Sequence, residues 1–182
     1  MAACLRFTRR VRVAFTFIGL YSLPPKVWKS FLDNKGHDTQ CFPSVGSINC
    51  AIPGCVETSL KIEQSNTNRV GVPHGGLILS LTDTLGSLAV ATKGQYMTGV
   101  STDIGTSFVR PAGRVGDVLY AKTVLTGMGK QLAYTRTDFT NAQGELVAYG
   151  YHTKYIGKSS VHANNVKLSE DGEKVLEEEY SE

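Results

Sequence analysis

The chain has 182 residues, 41% hydrophobic and 19% charged, the proportions of an ordinary globular protein with enough apolar surface for a core. A formal net charge of +3 gives no reason to expect a nucleic-acid partner, and the charge sits in the tails: residues 1–32 hold six Lys or Arg and no acid, and residues 167–182 hold seven acids against two Lys.

Residues 1–23 read as a targeting segment. Arg6, Arg9, Arg10 and Arg12 alternate with Leu5, Phe7, Val11 and Val13, and the first acid is Asp33. A basic, apolar, acid-free head predicts mitochondrial import, with a plain N-terminal helix on a cytoplasmic protein as the alternative. A secretory signal fits less well, because no small-residue cleavage site follows the apolar run and Pro24-Pro25 ends it. That run is also well short of the roughly 20 residues that span a bilayer, so no transmembrane segment is expected. The cysteines, Cys4, Cys41, Cys50 and Cys55, form no C-x-x-C pair and have no His at zinc-finger spacing. Thiols in a reducing compartment and no metal site follow.

After the two prolines, "KVWKSFLDNKG" places Val27, Phe31 and Leu32 at helical spacing and stops at Gly36. "HDTQCFPSVGS" reads as a loop. "INCAIPGCVETSLKIEQ" predicts two strands around a Pro-Gly turn, with Val56, Thr58, Leu60 and Ile62 alternating against Glu57, Ser59, Lys61 and Glu63. From Gly75 to Thr92 the period becomes helical: Leu77, Leu81, Leu85 and Leu88 make one stripe, and Ile78, Leu79, Ala89, Val90 and Ala91 cover much of the rest. A helix apolar most of the way round is buried. Strands are expected over residues 97–109, 115–126, 131–141 and 145–156, and the short turns between them predict antiparallel neighbours. The economical packing is α+β, one long central helix with an antiparallel sheet wrapped around it.

Within that helix Asp83 has Leu79, Ser80, Gly86 and Ser87 three and four residues away, so no helical ion pair accounts for it. Buried there, it would be strengthened as a base. The alternatives are that it faces water or meets a distant Lys or Arg. His74-Gly75-Gly76 sits where the helix begins; unpaired N–H groups point outward there, and glycine lets a carbonyl approach without meeting a Cβ. That suits an oxyanion hole for a tetrahedral intermediate, although a Gly-Gly pair can also serve a tight turn alone. Asn68 can hold a carbonyl or a water, or cap its loop. On the following strand Ser101 and Ser107 share a parity with Asp103 and Gly105, so Ser101 can fix a water beside Asp83. No Gly-x-Ser-x-Gly elbow marks it as a nucleophile. "GMGKQ", Gly127 to Gln131, is a glycine-rich turn without P-loop spacing.

Asn68, Gly71, His74-Gly75-Gly76, Asp83 and the "GVSTDI" strand bearing Ser101, in this order of elements, resemble the phenylacetate-degradation type of acyl-coenzyme A thioesterase, and its mammalian branch in particular. The resemblance covers about residues 51–157 and includes "PGCVETSLKIEQSNTNRVGVPHGG" and "HTKYIG". It implies a hotdog fold, whose domain is expected over 24–157, and cofactor-free hydrolysis of an acyl-coenzyme A; residues 158–182, beyond the resemblance, read as an acidic C-terminal tail. Asp83 would act as base or nucleophile and Gly75 N–H would hold the oxyanion, with Asn68, His74 and Ser101 in support. It also implies that Gly129, Lys130, Gln131 and Tyr155 meet the nucleotide end of coenzyme A. The site would lie at a homodimer interface, Asp83 and Ser101 facing Asn68, His74 and Gly75 of a second copy, with dimers pairing into a homotetramer. Leu77, Ile78 and Phe108 suit a fatty or aromatic acyl group. Two rivals stand beside this reading: a hotdog hydratase or dehydratase, which would want a His base with an acidic partner, and an acyl-coenzyme A binding protein without turnover. The tail, with Leu168, Val175, Leu176 and Tyr180 as its few apolar residues, reads as a solvated segment, or at most a frayed helix.

Overall fold

The computed structural model describes residues 23–41, 48–169 and 175–176. The expected targeting segment, apart from Leu23, lies outside them.

Helix α1 spans Leu23–Asp33 and the five-residue α2 spans His37–Cys41. Both depart from expectation. Pro24 and Pro25 do not stop at the helix border but form the first turn of α1, where a missing N–H costs nothing because it would have no intrahelical acceptor. Part of the stretch read as a loop is α2, which docks side chains onto the central helix: His37 Nε2 lies 3.0 Å from Ser80 Oγ, and Thr84 Oγ1 donates to Asp38 Oδ1 at 2.7 Å. So short a helix carries too few residues for any periodicity to reveal it.

Strands β1 (Ile48–Ile52) and β2 (Cys55–Lys61) flank the Pro53-Gly54 turn, whose glycine takes φ 80°. Helix α3 (Gly75–Ala91) follows, then β3 (Val100–Phe108), β4 (Val118–Met128), β5 (Leu132–Thr140) and β6 (Leu146–Tyr155). They form one antiparallel six-stranded sheet in the order β1-β2-β4-β5-β6-β3. The β4–β5 and β5–β6 turns make the expected hairpins. The β3–β4 connection does not: β4 lies against β2, and β3 takes the far edge beside β6. Residues 109–117 are long enough to cross the end of the sheet, so proximity in sequence does not impose pairing there.

The sheet curves around α3. Leu77, Leu81, Leu85 and Leu88, with Ile78, Ala89 and Ala91, are buried against Val56, Leu60, Leu119, Phe139 and Val147, while Val90 packs with Ala133 and Ile156. Thr92 caps the end of the helix, its Oγ1 donating to Ala89 O and accepting from Gly54 N–H at 2.7 Å, which ties the β1–β2 turn to α3. On the other side β6 presses close: a Cβ at Gly150 would meet Thr82 side-chain atoms at 2.5 Å, and one at Gly86 would meet His152 Nδ1 at 2.8 Å. These glycines set the distance at which β6 side chains reach the helix.

Beyond β6 the described residues are not helical, and part of them docks on the domain. Asn165 Oδ1 accepts from Tyr96 N–H, Asn165 Nδ2 donates to Ser159 O, and the His162 ring stacks on Tyr96 at 5.4 Å. Lys167–Leu168 then pairs with Val175–Leu176 as a two-residue ladder. Removing residues 167–182, which follow the Asn165 and His162 contacts, is expected to leave turnover within about twofold of the full chain, as for changes away from the core and the site. A larger loss in thiol release, or dissociation in sedimentation, would show that the tail contributes to the site or the assembly.

Candidate active site

Two clusters stand at different points along α3. The first surrounds its N-terminus. Asn66 O accepts from His74 N–H at 2.8 Å, fixing the loop before the helix. Asn68 Oδ1 accepts from the N–H groups of Val70 (3.0 Å) and Val72 (3.4 Å), and Gly71 closes this turn at φ 78°. The loop-cap role is therefore real, and it leaves the Nδ2 end of the amide, a donor only, as the group able to meet a ligand. His74 is the N-cap, its Nδ1 accepting from Gly76 N–H at 2.9 Å. An accepting Nδ1 is unprotonated, so the ring proton sits on Nε2. The cap satisfies Gly76, while Gly75 N–H has no acceptor among the described residues. Gly75 and Asn68 both open on a cavity of about 370 Å³ walled by Ile78, Phe108, Val147 and Ala148. The Phe108 ring lies over Gly75 so closely that a Cβ there would meet its Cζ at 3.3 Å. The arrangement offers two hydrogen-bond donors at the mouth of an apolar chamber.

The second cluster is centred on Asp83. Its side chain is 50% exposed, so the expected burial is absent in the single chain, because the sheet and α1–α2 leave one strip of α3 uncovered, Gly76, Leu79 and Asp83. The alternative that Asp83 meets a distant Lys describes what the structure shows. Lys154 Nζ stands 3.7 Å and His152 Nε2 3.6 Å from Asp83 Oδ1. Both come from β6, and no inspection of helical neighbours finds them. His152 Nε2 is also 2.9 Å from Ser101 Oγ, and Lys154 Nζ donates to Ser87 Oγ at 2.7 Å.

Ser101 reaches this cluster through a β-bulge. Ser101 pairs with Lys154 and Asp103 with Thr153, so Thr102 is the extra residue. The simple parity is thereby broken: Ser101, Thr106 and Phe108 meet groups on the helix side, at His152, Thr82 and Gly75, while Gly105 lies under Tyr151 on the outer face. Bulges of this kind re-aim a side chain next to a site.

Burial, reinforced by the Lys154 ammonium, pushes the His152 imidazole down to about 4, so the ring is neutral at pH 7; the Asp83 carboxylate opposes that shift. Burial likewise lowers Lys154 below its usual 10.5, again against the pull of Asp83. His152 Nδ1, buried at Gly86, has no hydrogen-bond partner among the described residues. The signal for both residues was the strand period itself. His152 and Lys154 share the inward parity of Ala148 and Gly150, opposite Tyr149, Tyr151 and Thr153.

Gly129, Lys130 and Gln131 form the β4–β5 turn, with Gly129 N–H donating to Leu132 O and Ile156 N–H to Gln131 O. Leu132 and Val100 flank Tyr155, and Ala133 and Ser101 flank Lys154, so these four candidates stand at the same end of the sheet as Asp83. They are far from the first cluster. Gly75 and Asp83 are eight residues apart on one helix, roughly 12 Å along its axis. Among the described residues no group of three or more His, Cys, Asp or Glu is placed to hold a metal ion. No described helix is long and apolar enough to cross a membrane.

Residues 70–148 match the family model described as the thioesterase superfamily. A Schizosaccharomyces pombe protein bearing an esterase name is 36% identical over 146 residues, 80% of this chain and 90% of its own. The chain belongs to the thioesterase superfamily. Another relative is human acyl-coenzyme A thioesterase 13, 39% identical over 108 residues, 59% of this chain and 76% of that one. The crystal structure of zebrafish thioesterase superfamily member 2 superposes with a TM-score of 0.65 at 30% identity, covering 72% of this chain and 94% of that one. As a superfamily member the chain carries the hotdog fold, the antiparallel sheet around a central helix described above. Its family match contains Gly75, Asp83 and Ser101, whereas His152 and Lys154 fall just beyond.

Proposed function

We propose that the protein hydrolyses acyl-coenzyme A thioesters to the free acid and coenzyme A, without a cofactor. The observation that carries this reading is the unsatisfied Gly75 N–H at the positive end of α3, beside Asn68 and over an apolar chamber, in a chain of the thioesterase superfamily. The thioester carbonyl oxygen accepts from Gly75 N–H and Asn68 Nδ2. Asp83 takes a proton from a water held by Ser101; the water oxygen bonds to the carbonyl carbon, the C–S bond breaks, and coenzyme A leaves as its thiolate. In the alternative route Asp83 attacks and water then cleaves the mixed anhydride. Gly129, Lys130, Gln131 and Tyr155 meet the nucleotide portion, and the chamber takes a medium or long fatty chain or an aromatic acyl group.

One carbonyl cannot touch Gly75 and Asp83 of the same helix at roughly 12 Å separation. We infer that two copies complete the site, Asp83 and Ser101 of one facing Asn68, His74 and Gly75 of the other, with two such dimers forming a tetramer. The uncovered strip on α3 and the edge strand β3, with Val100 64% and Phe108 60% exposed, support this pairing. Sedimentation showing a monomer at assay concentration would oppose it.

His152 beside Asp83 is the pair a hydratase would want, but the ring is buried behind Ser101 and favours the neutral form, which counts against a proton shuttle to substrate. The deciding experiment is release of free thiol from short, long and aromatic acyl-coenzyme A thioesters by the full chain. Turnover of at least one class is expected, and its profile names the acyl group. Binding without thiol release from any member would sink hydrolysis and leave the binding-protein reading. The basic, acid-free residues 1–23 further support mitochondrial import; recovery of the full chain wholly in the cytosolic fraction would refute it.

A further inference from the structure

Among the described residues, Lys154 is the Lys or Arg whose side chain is almost wholly buried, at 4% exposed, yet its counter-charge, Asp83, is 50% exposed. An ion pair made for stability alone is poorly served by this asymmetry, since the cation bears the full desolvation cost while the anion keeps much of its water. Geometry supplies another purpose. Lys154 Nζ is anchored on Ser87 Oγ at 2.7 Å, one helical turn beyond Asp83, and reaches Asp83 Oδ1 at 3.7 Å, too long for a good hydrogen bond but close enough for strong charge attraction. The ammonium is therefore on the buried side of the carboxylate, whose own side chain remains half exposed.

We propose that Lys154 is a positioning residue of the hydrolytic site: its buried ammonium, anchored by Ser87, holds the Asp83 carboxylate in place and in its charged form when acyl thioester and a second copy cover it. The proposal rests on the thioesterase reading above. Covering a carboxylate disfavours its ionised form, and a cation already beneath it opposes that loss. The groups facing Lys154 are few. Asp83 comes from α3; His152, neutral at pH 7, comes from its own strand; β3 presents Ser101 and, across the bulge, Asp103, whose charge acts on His152; β5 presents the uncharged Ala133 and Thr135. The lowered pKa of the buried ammonium adds a consequence: the support for Asp83 is lost on the alkaline side earlier than an ordinary lysine would allow.

The test compares kcat, KM and their pH profiles for the full chain, Lys154→Gln, Ser87→Ala and Asp83→Asn, with melting temperature and sedimentation as controls. For Lys154→Gln we expect kcat to fall about 10- to 100-fold with KM within about threefold. The acid side of its profile should move to higher pH, and the alkaline fall of the parent should vanish. Ser87→Ala removes the acceptor that favours the ammonium, so its alkaline fall should move to lower pH; this arm serves equally if Lys154→Gln does not fold. A merely structural lysine would change the melting temperature and leave the shape of both profiles alone, and that result overturns the proposal. A parent that releases no thiol removes the thioesterase reading and the proposal together. A parent that turns over, with Asp83→Asn inactive and both other variants carrying the parent's profile, removes only the proposal.

Discussion

Asp83→Asn is expected to lower kcat for acyl-coenzyme A hydrolysis by about a thousandfold, on the order of 4 kcal/mol of transition-state stabilisation, with little change in KM. The amide matches the carboxylate in size and can still hydrogen-bond a water, but it can neither accept a proton nor form an anhydride. Asp83 suits this chemistry because the helix carries it to the one uncovered strip of α3, where β6 supplies Lys154 at 3.7 Å and the re-aimed Ser101 is 2.9 Å from His152. Its exposure in the single chain matters as much. A carboxylate sealed beneath the sheet could not reach a thioester, whereas one left half open can be covered by the substrate itself. Thiol release under single-turnover conditions is the measurement. A variant that keeps more than about a tenth of the parent rate would remove Asp83 from both the base and the nucleophile roles.

The elements defined by long periodicity were readable from the chain alone, and those defined by a single residue or by tertiary choice were not. Leu77, Leu81, Leu85 and Leu88 announce α3 because a buried helix needs that spacing, and Pro53-Gly54 announces a turn that only glycine closes at φ 80°. The position of β3 is a different matter. Its neighbour is chosen by which edge of the sheet remains open after β4 has paired with β2, and no local pattern encodes that. The bulge at Thr102 shifts the parity by one residue, so Ser101 reaches the helix side although alternation assigns it to the face of Asp103. His152 and Lys154 obey their strand's alternation. They escape a search made along α3 because their partner Asp83 is some seventy residues away in sequence, and the helix-periodicity rule looks only three or four residues along.

The second large effect is expected at Gly75, and a backbone donor can be deleted there with unusual economy. Gly75 is the first residue of α3, where proline is well tolerated because the N–H has no intrahelical acceptor. The residue before it, His74, already holds φ −66° and ψ 137°, the extended conformation that a following proline requires. Gly75→Pro should therefore leave the helix and its His74 cap intact while removing the N–H assigned to the oxyanion. Loss of one such donor costs about 100- to 1000-fold in kcat. The added ring is a complication that Gly75→Ala resolves, because alanine retains the N–H while placing a Cβ 3.3 Å from Phe108 Cζ, a contact that a shift of a few tenths of an ångström relieves. The donor assignment requires the alanine variant to stay within about tenfold of the parent and the proline variant to fall well below it, both melting near the parent temperature. Equal losses in the two would mean that shape at the chamber mouth, and not the N–H, limits the reaction. Equal retention would mean that the oxyanion is held elsewhere, with Asn68 Nδ2 the next donor to remove.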